Sequence, residues 1–139
     1  MKQFKTWLMP SILMAVLFTS SASAEAGVVA IVNKANTSAD KATISKLYTL
    51  ESKSWSDGEQ AKLYDLAGES AREEFCMAYT GKSVAAIKSI WAKAVFTGRA
   101  TPPKVFSSDS DVKSEVAKDK NAVGYVNESS VDDSVRAIR

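Results

Sequence analysis

The stretch Gly68-Glu69-Ser70-Ala71-Arg72-Glu73-Glu74-Phe75 stands between a strand-like run and a helical one, and its reading decides how the chain is built. Ser70 is a preferred N-cap type whose hydroxyl can accept from a free N–H in the first helical turn. Glu73, three residues on, can reach back to the N–H of Ser70, so the pair predicts a capping box. Gly68 allows a sharp turn just before the cap. The freed N–H groups of the helix start, backed by the helix dipole, then form a candidate anion cradle, with Arg72 as a positive fork beside it. The same spacing also fits a well-capped helix that binds nothing.

Outward from this point, strand-like and helical patterns alternate. Gly27 to Val32 is a continuous, mostly β-branched run that predicts a strand buried on both faces, as in parallel sheets. A polar loop from Asn33 to Ser38 follows, then Ile44, Leu47 and Tyr48 fall at helical spacing. The turn signal Asp57-Gly58 precedes a second strand between Gln60 and Leu66. After the Gly68–Phe75 stretch, Gly81 is a helix stop and Ser83 caps a longer helix. Its stripe of Val84, Ile87, Ile90, Trp91, Ala94 and Val95 predicts core packing. Pro102 and Pro103 require an extended loop. Lys104 to Phe106, Ala122 to Val126 and Val135 to Ile138 read as short strands, with a weak helix from Asp109 to Ala117. The order predicts an α/β domain of three layers, with a largely parallel sheet and helices on both faces. Ligands of such sheets sit beyond the carboxyl ends of the strands, so the loops after Val32 and Leu66 are expected to be neighbours.

The first 24 residues are expected to be a leader rather than part of this domain. Lys2 and Lys5 precede an apolar run from Trp7 to Phe18, and Ala22-Ser23-Ala24 completes the three-part pattern of a secretory signal peptide. Residues 25–139 then form the single domain, about 115 residues, enough for one core. Loss of Lys2 and Lys5 cancels the net charge of +2. A neutral chain without basic runs argues against nucleic-acid binding and electrostatic membrane attachment, and no membrane anchor is expected after leader removal. Cys76 is the only cysteine, which excludes an intramolecular disulfide and suits a small buried apolar residue. Histidine is absent, which removes His-ligated zinc and Ser-His or Cys-His catalysis. Asp65 with Glu69, or Asp132 with Asp133, are the carboxylate pairs left for acid–base work. Solvated turns account for Asp132 and Asp133 better, and no enzyme, metal or cofactor is expected.

The motifs in their order carry a resemblance. Ile31-Val32-Asn33, Trp55-Ser56-Asp57-Gly58, Arg72-Glu73-Glu74-Phe75, the run from Phe96 through Thr97, Gly98, Arg99 and Pro102-Pro103 to Lys104, and Val123-Gly124-Tyr125-Val126 resemble phosphate-binding proteins of ABC transporters. The chain is most similar to short, single-lobe relatives of that family. The resemblance implies one lobe of a type-2 periplasmic binding fold, a periplasmic address, phosphate or another small anion as ligand, and a membrane permease, sensor or other envelope protein as partner. The candidate ligand-binding residues of this chain, Asn33, Gly68, Ser70, Ala71 and Arg72, come from its helix start and strand-end loops, because the family's own site carries over poorly. The chain departs from the family pattern at the site itself. Asp65 stands where full-length relatives have an arginine, and Glu69, Ser70 and Ala71 stand where they have Ser-Gly-Thr.

Two functions remain open at this level. One is a solute-binding-like component of phosphate-type transport with a degenerate anion site. The other is an envelope interaction module that binds no phosphate and uses Trp55 and the Arg99–Lys104 loop as contacts, since Trp and Arg are common interface anchors. A core position closing the helix against the sheet accounts for Trp55 better. Mass spectrometry of the exported protein is expected to give an N-terminus near Glu25, and a product retaining Lys2 contradicts the leader.

Overall fold

A computed structural model describes residues 27–139, so the expected leader lies outside the described residues. The elements run β1 (Val28–Val32), α1 (Lys41–Tyr48), β2 (Lys62–Leu66), α2 (Glu69–Phe75), a π turn (Cys76–Thr80), α3 (Val84–Phe96), β3 (Lys104–Phe106), α4 (Asp109–Lys118), β4 (Ala122–Asn127), a short 3-10 turn (Glu128–Ser130) and β5 (Arg136–Ile138). The strands form one sheet in the order β3-β2-β4-β1-β5. β2 runs parallel to both β3 and β4, whereas β1 runs antiparallel to β4 and β5. Every strand except β1 therefore points the same way, which makes the sheet largely parallel, as expected.

The reversal of β1 overturns one expectation. All five residues of β1 are buried, as the apolar run required. Its direction, however, sends the loop after Val32 to the end of the sheet opposite the loop after Leu66. Val32 pairs with Val123, which in turn pairs with Leu63, and Leu66 lies about 10 Å further along. Burial on both faces records only that helices cover the sheet, and it carries no information on strand direction.

Helices cover both faces. On one, α4 lays the fully buried Val112 and Val116 against β4 at Gly124. A Cβ at Gly124 would approach Val112 Cγ1 to 2.6 Å, so this glycine sets how closely α4 sits on the sheet. On the other face the ring of Phe75 in α2 stacks on Tyr125 of β4, with centroids 4.1 Å apart and planes 10° apart. Tyr48 of α1 meets Phe75 edge-on at 4.7 Å and donates its hydroxyl to the Tyr64 carbonyl at 2.7 Å. The π turn brings Tyr79 beneath the sheet edge, where its hydroxyl accepts from Ala30 N at 2.9 Å and donates to the Ile138 carbonyl, tying β1 to β5. Cys76 is buried in the same layer.

The apolar stripe of α3 is less of a core element than its periodicity suggests. Ser83 caps the helix by accepting from Ala86 N, and Ile87 is buried. Ile90 and Trp91 are only half-buried, Val95 is exposed, and Phe96 is 91% exposed. With α1 and α2 already on the sheet, α3 packs on the π turn and on the end of α1, where Trp91 Nε1 donates to the Tyr48 carbonyl at 2.8 Å. Trp55 takes the opposite course. It is 2% exposed and donates to the Asn121 carbonyl at 3.0 Å, so it is a core residue and not an interface anchor.

Removing the central ring by Phe75→Ala is expected to cost about 3–5 kcal/mol in denaturant melts. Gly124→Val, which forces methyl groups against Val112, is expected to cost about 1–3 kcal/mol. A neutral result for Gly124→Val would mean that α4 can retreat from β4 freely.

Candidate functional site

The carboxyl ends of β2, β3 and β4 converge at one end of the sheet, and α2 and α4 both begin there. The turn from β2 into α2 is held by a bond from Ala67 N to the Phe106 carbonyl at 2.7 Å. Gly68 is the N-cap of α2, with φ 120° and ψ 123°, a conformation that side chains rarely adopt. Its carbonyl accepts from Arg72 N at 3.2 Å, the first bond of the helix. The helix thus begins at Glu69, and Ser70 lies inside its first turn. The expected capping box of Ser70 and Glu73 does not form, because Gly68 takes the cap position and the cap carries no side-chain hydrogen bond. The N–H groups of Glu69, Ser70 and Ala71 consequently have no acceptor within the helix.

Around these donors the side chains are largely acidic. Glu69 sits in the first turn, and Asp65 lies on β2 just before the turn. Asp109 and Asp111 lie in the first turn of α4, which covers the opposite face at the same end of the sheet. Asp109 is engaged internally, since its Oδ2 accepts from Asn127 Nδ2 at 3.0 Å and from the Ser130 hydroxyl. Carboxylates within a few ångströms of an anion each oppose it by about 1 kcal/mol or more, depending on the effective dielectric.

Arg72 is turned toward the interior rather than outward over the cradle. The Tyr125 hydroxyl donates to Asp65 Oδ1 at 3.2 Å, and the Arg72 guanidinium lies beside both. Burial works against the Arg72 charge, but the Tyr125 hydroxyl and then Asp65 outweigh it, so its pKa rises. Burial pushes the Asp65 carboxyl up, and the opposing pull of Arg72 and of the Tyr125 hydrogen bond does not cancel it. No contact ion pair joins Asp65 to Arg72 among the described residues. Arg72 Nε is buried without a hydrogen-bond partner. Tyr125 is the member of this group that the sequence reading missed; a tyrosine in an otherwise aliphatic buried strand signals a hydroxyl that needs a partner.

Asn33 is not part of this end. Its Nδ2 donates to the carbonyls of Val116 and Ala117, both at 3.0 Å, and its Oδ1 accepts from Ala35 N at 2.9 Å. It closes the C-terminus of α4 at the opposite end of the sheet, a placement fixed by the reversal of β1. Gly68, Ser70, Ala71 and Arg72 do come together. Of the alternative acidic pair, Asp132 is engaged elsewhere, bound to Lys113 at 2.7 Å and to Ser134, and both hold its carboxyl well below the usual range. Among the described residues no cluster of three His, Cys, Asp or Glu side chains is placed to hold a metal ion. No helix among them is long and apolar enough to cross a membrane.

No family model matches the chain, and no curated protein does. Solved structures do match. A candidate phosphate ABC transporter substrate-binding protein from Clostridium perfringens, solved with bound phosphate, is similar with a TM-score of 0.61 and 20% identity, over 81% of this chain and 44% of that one. An ABC-type phosphate transport receptor from Vibrio cholerae aligns with a TM-score of 0.52 and 20% identity, over 81% and 45%. A candidate phosphate-binding protein from Planctomyces limnophilus gives 0.54 and 18%, over 81% and 40%. The chain spans less than half the length of these structures. The shared feature is the α/β fold of one lobe of such binding proteins, as expected from the order of motifs.

The raised Asp65 pKa has a consequence for stability. The ordinary value is 3.8, and a folded value above it means that the folded chain holds this proton more tightly than the unfolded chain. The contribution is complete below about pH 3.8 and is lost as the pH rises through the folded value. Denaturant melts of the native chain and Asp65→Asn across this range are expected to differ in slope. The native chain should gain stability relative to the variant as the pH falls from 7 toward 4, and parallel profiles would show that Asp65 is effectively solvated.

Proposed function

We propose that this domain is an exported, periplasmic solute-binding-like protein, related to the phosphate-binding component of an ABC transporter and carrying a degenerate anion site. The observation that carries this reading is the start of α2. Its free N–H groups stand at the carboxyl ends of three parallel strands, in the fold of a binding-protein lobe. Binding rather than catalysis fits the neighbours and the dispersed carboxylates. Gly68 shapes the turn, Ser70 and Ala71 offer donors, and Arg72 supplies positive charge from the second row once an anion competes with Asp65 for it. The partners in this reading are phosphate or another small anion and a permease or sensor of the envelope.

Affinity in this arrangement is low. Asp65 and Glu69 occupy positions where donors would be needed, and the single lobe leaves the anion open to water. Millimolar binding corresponds to about 4 kcal/mol, which a few helix-start N–H groups and one partly engaged arginine can supply, whereas micromolar binding needs about twice that. Calorimetric titration of phosphate is expected to give a Kd in the millimolar range or no heat. Asp65→Arg together with Glu69→Ser is expected to strengthen binding, and Arg72→Ala to abolish it. Micromolar affinity in the unaltered protein would overturn the assignment of these residues.

A second reading has an observation of its own. Arg72 is already satisfied in part by Tyr125 and Asp65, as in a scaffold that has given up its anion and serves as an envelope interaction module. In that case phosphate produces no change at Ser70 and Ala71 at any concentration, including in the donor-restored variant.

A further inference from the structure

At the opposite end of the sheet from α2, a groove of about 380 Å³ opens between the β2 entry and the loop from Gly98 to Pro103. Its walls are Leu47, Leu63, Tyr64 and Trp91 on the body of the domain and Pro102-Pro103 on the loop. A smaller groove of about 230 Å³ adjoins it, sharing Leu50, Lys53 and Arg99 and adding Lys93. The two together are lined by Lys53, Lys62, Lys93 and Arg99 and by no carboxylate.

The loop that forms the rim is built rather than loose. Arg99 N and Ala100 N both bond the Ala94 carbonyl, at 2.8 and 3.3 Å, and Lys53 Nζ donates to the Arg99 carbonyl from the other side. Leu50, which lines both grooves, is the left-handed residue (φ 59°) that ends α1, with Leu50 N bonded to the Leu47 carbonyl at 3.2 Å and Glu51 N to the Lys46 carbonyl at 2.9 Å. The charge balance favours an anion. Lys62 is neutralised by Asp119 at 2.9 Å, which leaves Lys53, Lys93 and Arg99. The C-termini of α1 and α3 point here and oppose them with about half a charge each, so the groove remains positive. Its volume falls in the range of small-molecule sites, and its lining mixes Leu, Trp, Tyr and Pro side chains with polar and basic ones.

We propose that this groove is a separate ligand site that takes a small organic anion with an aromatic or cyclic body, a ring carboxylate being the simplest case. The ring lies against Trp91, Tyr64 and the two prolines, and the acid group faces Lys53 and Arg99. It is independent of the anion end at α2, because the two lie at opposite ends of the sheet and share no residue.

The test is an NMR titration of the full chain with naphthoate, and with naphthalenemethanol as its uncharged counterpart. Naphthoate is expected to shift the Trp91 indole N–H and the amides of Gly98, Arg99 and Ala100, and to bind more weakly as sodium chloride is raised. The alcohol at the same concentration should leave those signals in place. The Lys53→Ala/Arg99→Ala double variant, whose amide spectrum reports whether the fold is kept, is expected to bind about tenfold more weakly, as for two solvent-exposed charge contacts. Equal shifts with the alcohol, an undiminished affinity in the folded double variant, or shifts confined to Gly68–Arg72 would each overturn the site. The salt dependence in the unaltered chain decides the question if the double variant fails to fold.

Discussion

The stacked rings of Phe75 and Tyr125 are the contact on which this structure depends. Phe75 is 1% exposed and Tyr125 is fully buried, and the stack joins α2 to the central strand β4. Tyr48 from α1 and Tyr79 from the π turn close around the same rings. Aromatic contacts of this kind add about 0.5–1.5 kcal/mol each beyond the area they bury. Each tyrosine here also carries a task that aliphatic residues could not perform. The Tyr48 hydroxyl bonds the β2 carbonyl of Tyr64, the Tyr79 hydroxyl bridges β1 and β5, and the Tyr125 hydroxyl holds Asp65. The core of this face and the polar row behind α2 are therefore one piece.

That coupling is the physical basis of the weak anion binding proposed for the α2 end. In an open cradle an arginine is free to turn toward a ligand. Here Arg72 lies in a half-buried row with Tyr125 and Asp65, and any anion must draw it away from a carboxylate that burial has already made costly to charge. The helix-start N–H groups remain, but Glu69 stands among them. The electrostatics of the chain are in this sense reversed end for end. Carboxylates collect where the parallel strands finish, and Lys53, Lys93 and Arg99 collect around the apolar groove at the other end.

The single reversed strand governs which residues can meet. β1 lies between β4 and β5 and antiparallel to both, so the Asn33 loop leaves the sheet beside the C-terminus of α4. There its amide satisfies two carbonyls of the last helical turn, a need that exists at every helix C-terminus. The same topology leaves β3, only three residues long, as an edge strand with Val105 half exposed, and shortness is a common way to blunt an exposed edge.

Local and periodic features were legible in the sequence. The β-branched run gave β1, Ser83 capped α3, Pro102-Pro103 broke the helix into a loop, and the alternation of patterns gave the layered α/β class, because propensity, capping and ring geometry act over a few residues. The candidate cradle at Gly68, Ser70 and Ala71 was inferred on the same basis. Tertiary structure alone decided the rest. Strand direction depends on which neighbours a buried strand pairs with, and an apolar run is the same read either way, so Asn33 was misplaced. The cap position passed from Ser70 to Gly68 because the β2–α2 turn is pinned from outside by Phe106. Trp55 and the outer half of α3 exchanged their expected burial because coverage of the sheet is settled by competition among helices. The engagement of Arg72 by Tyr125 and Asp65 rests on contacts between strands and helices far apart in the chain, which no local pattern records.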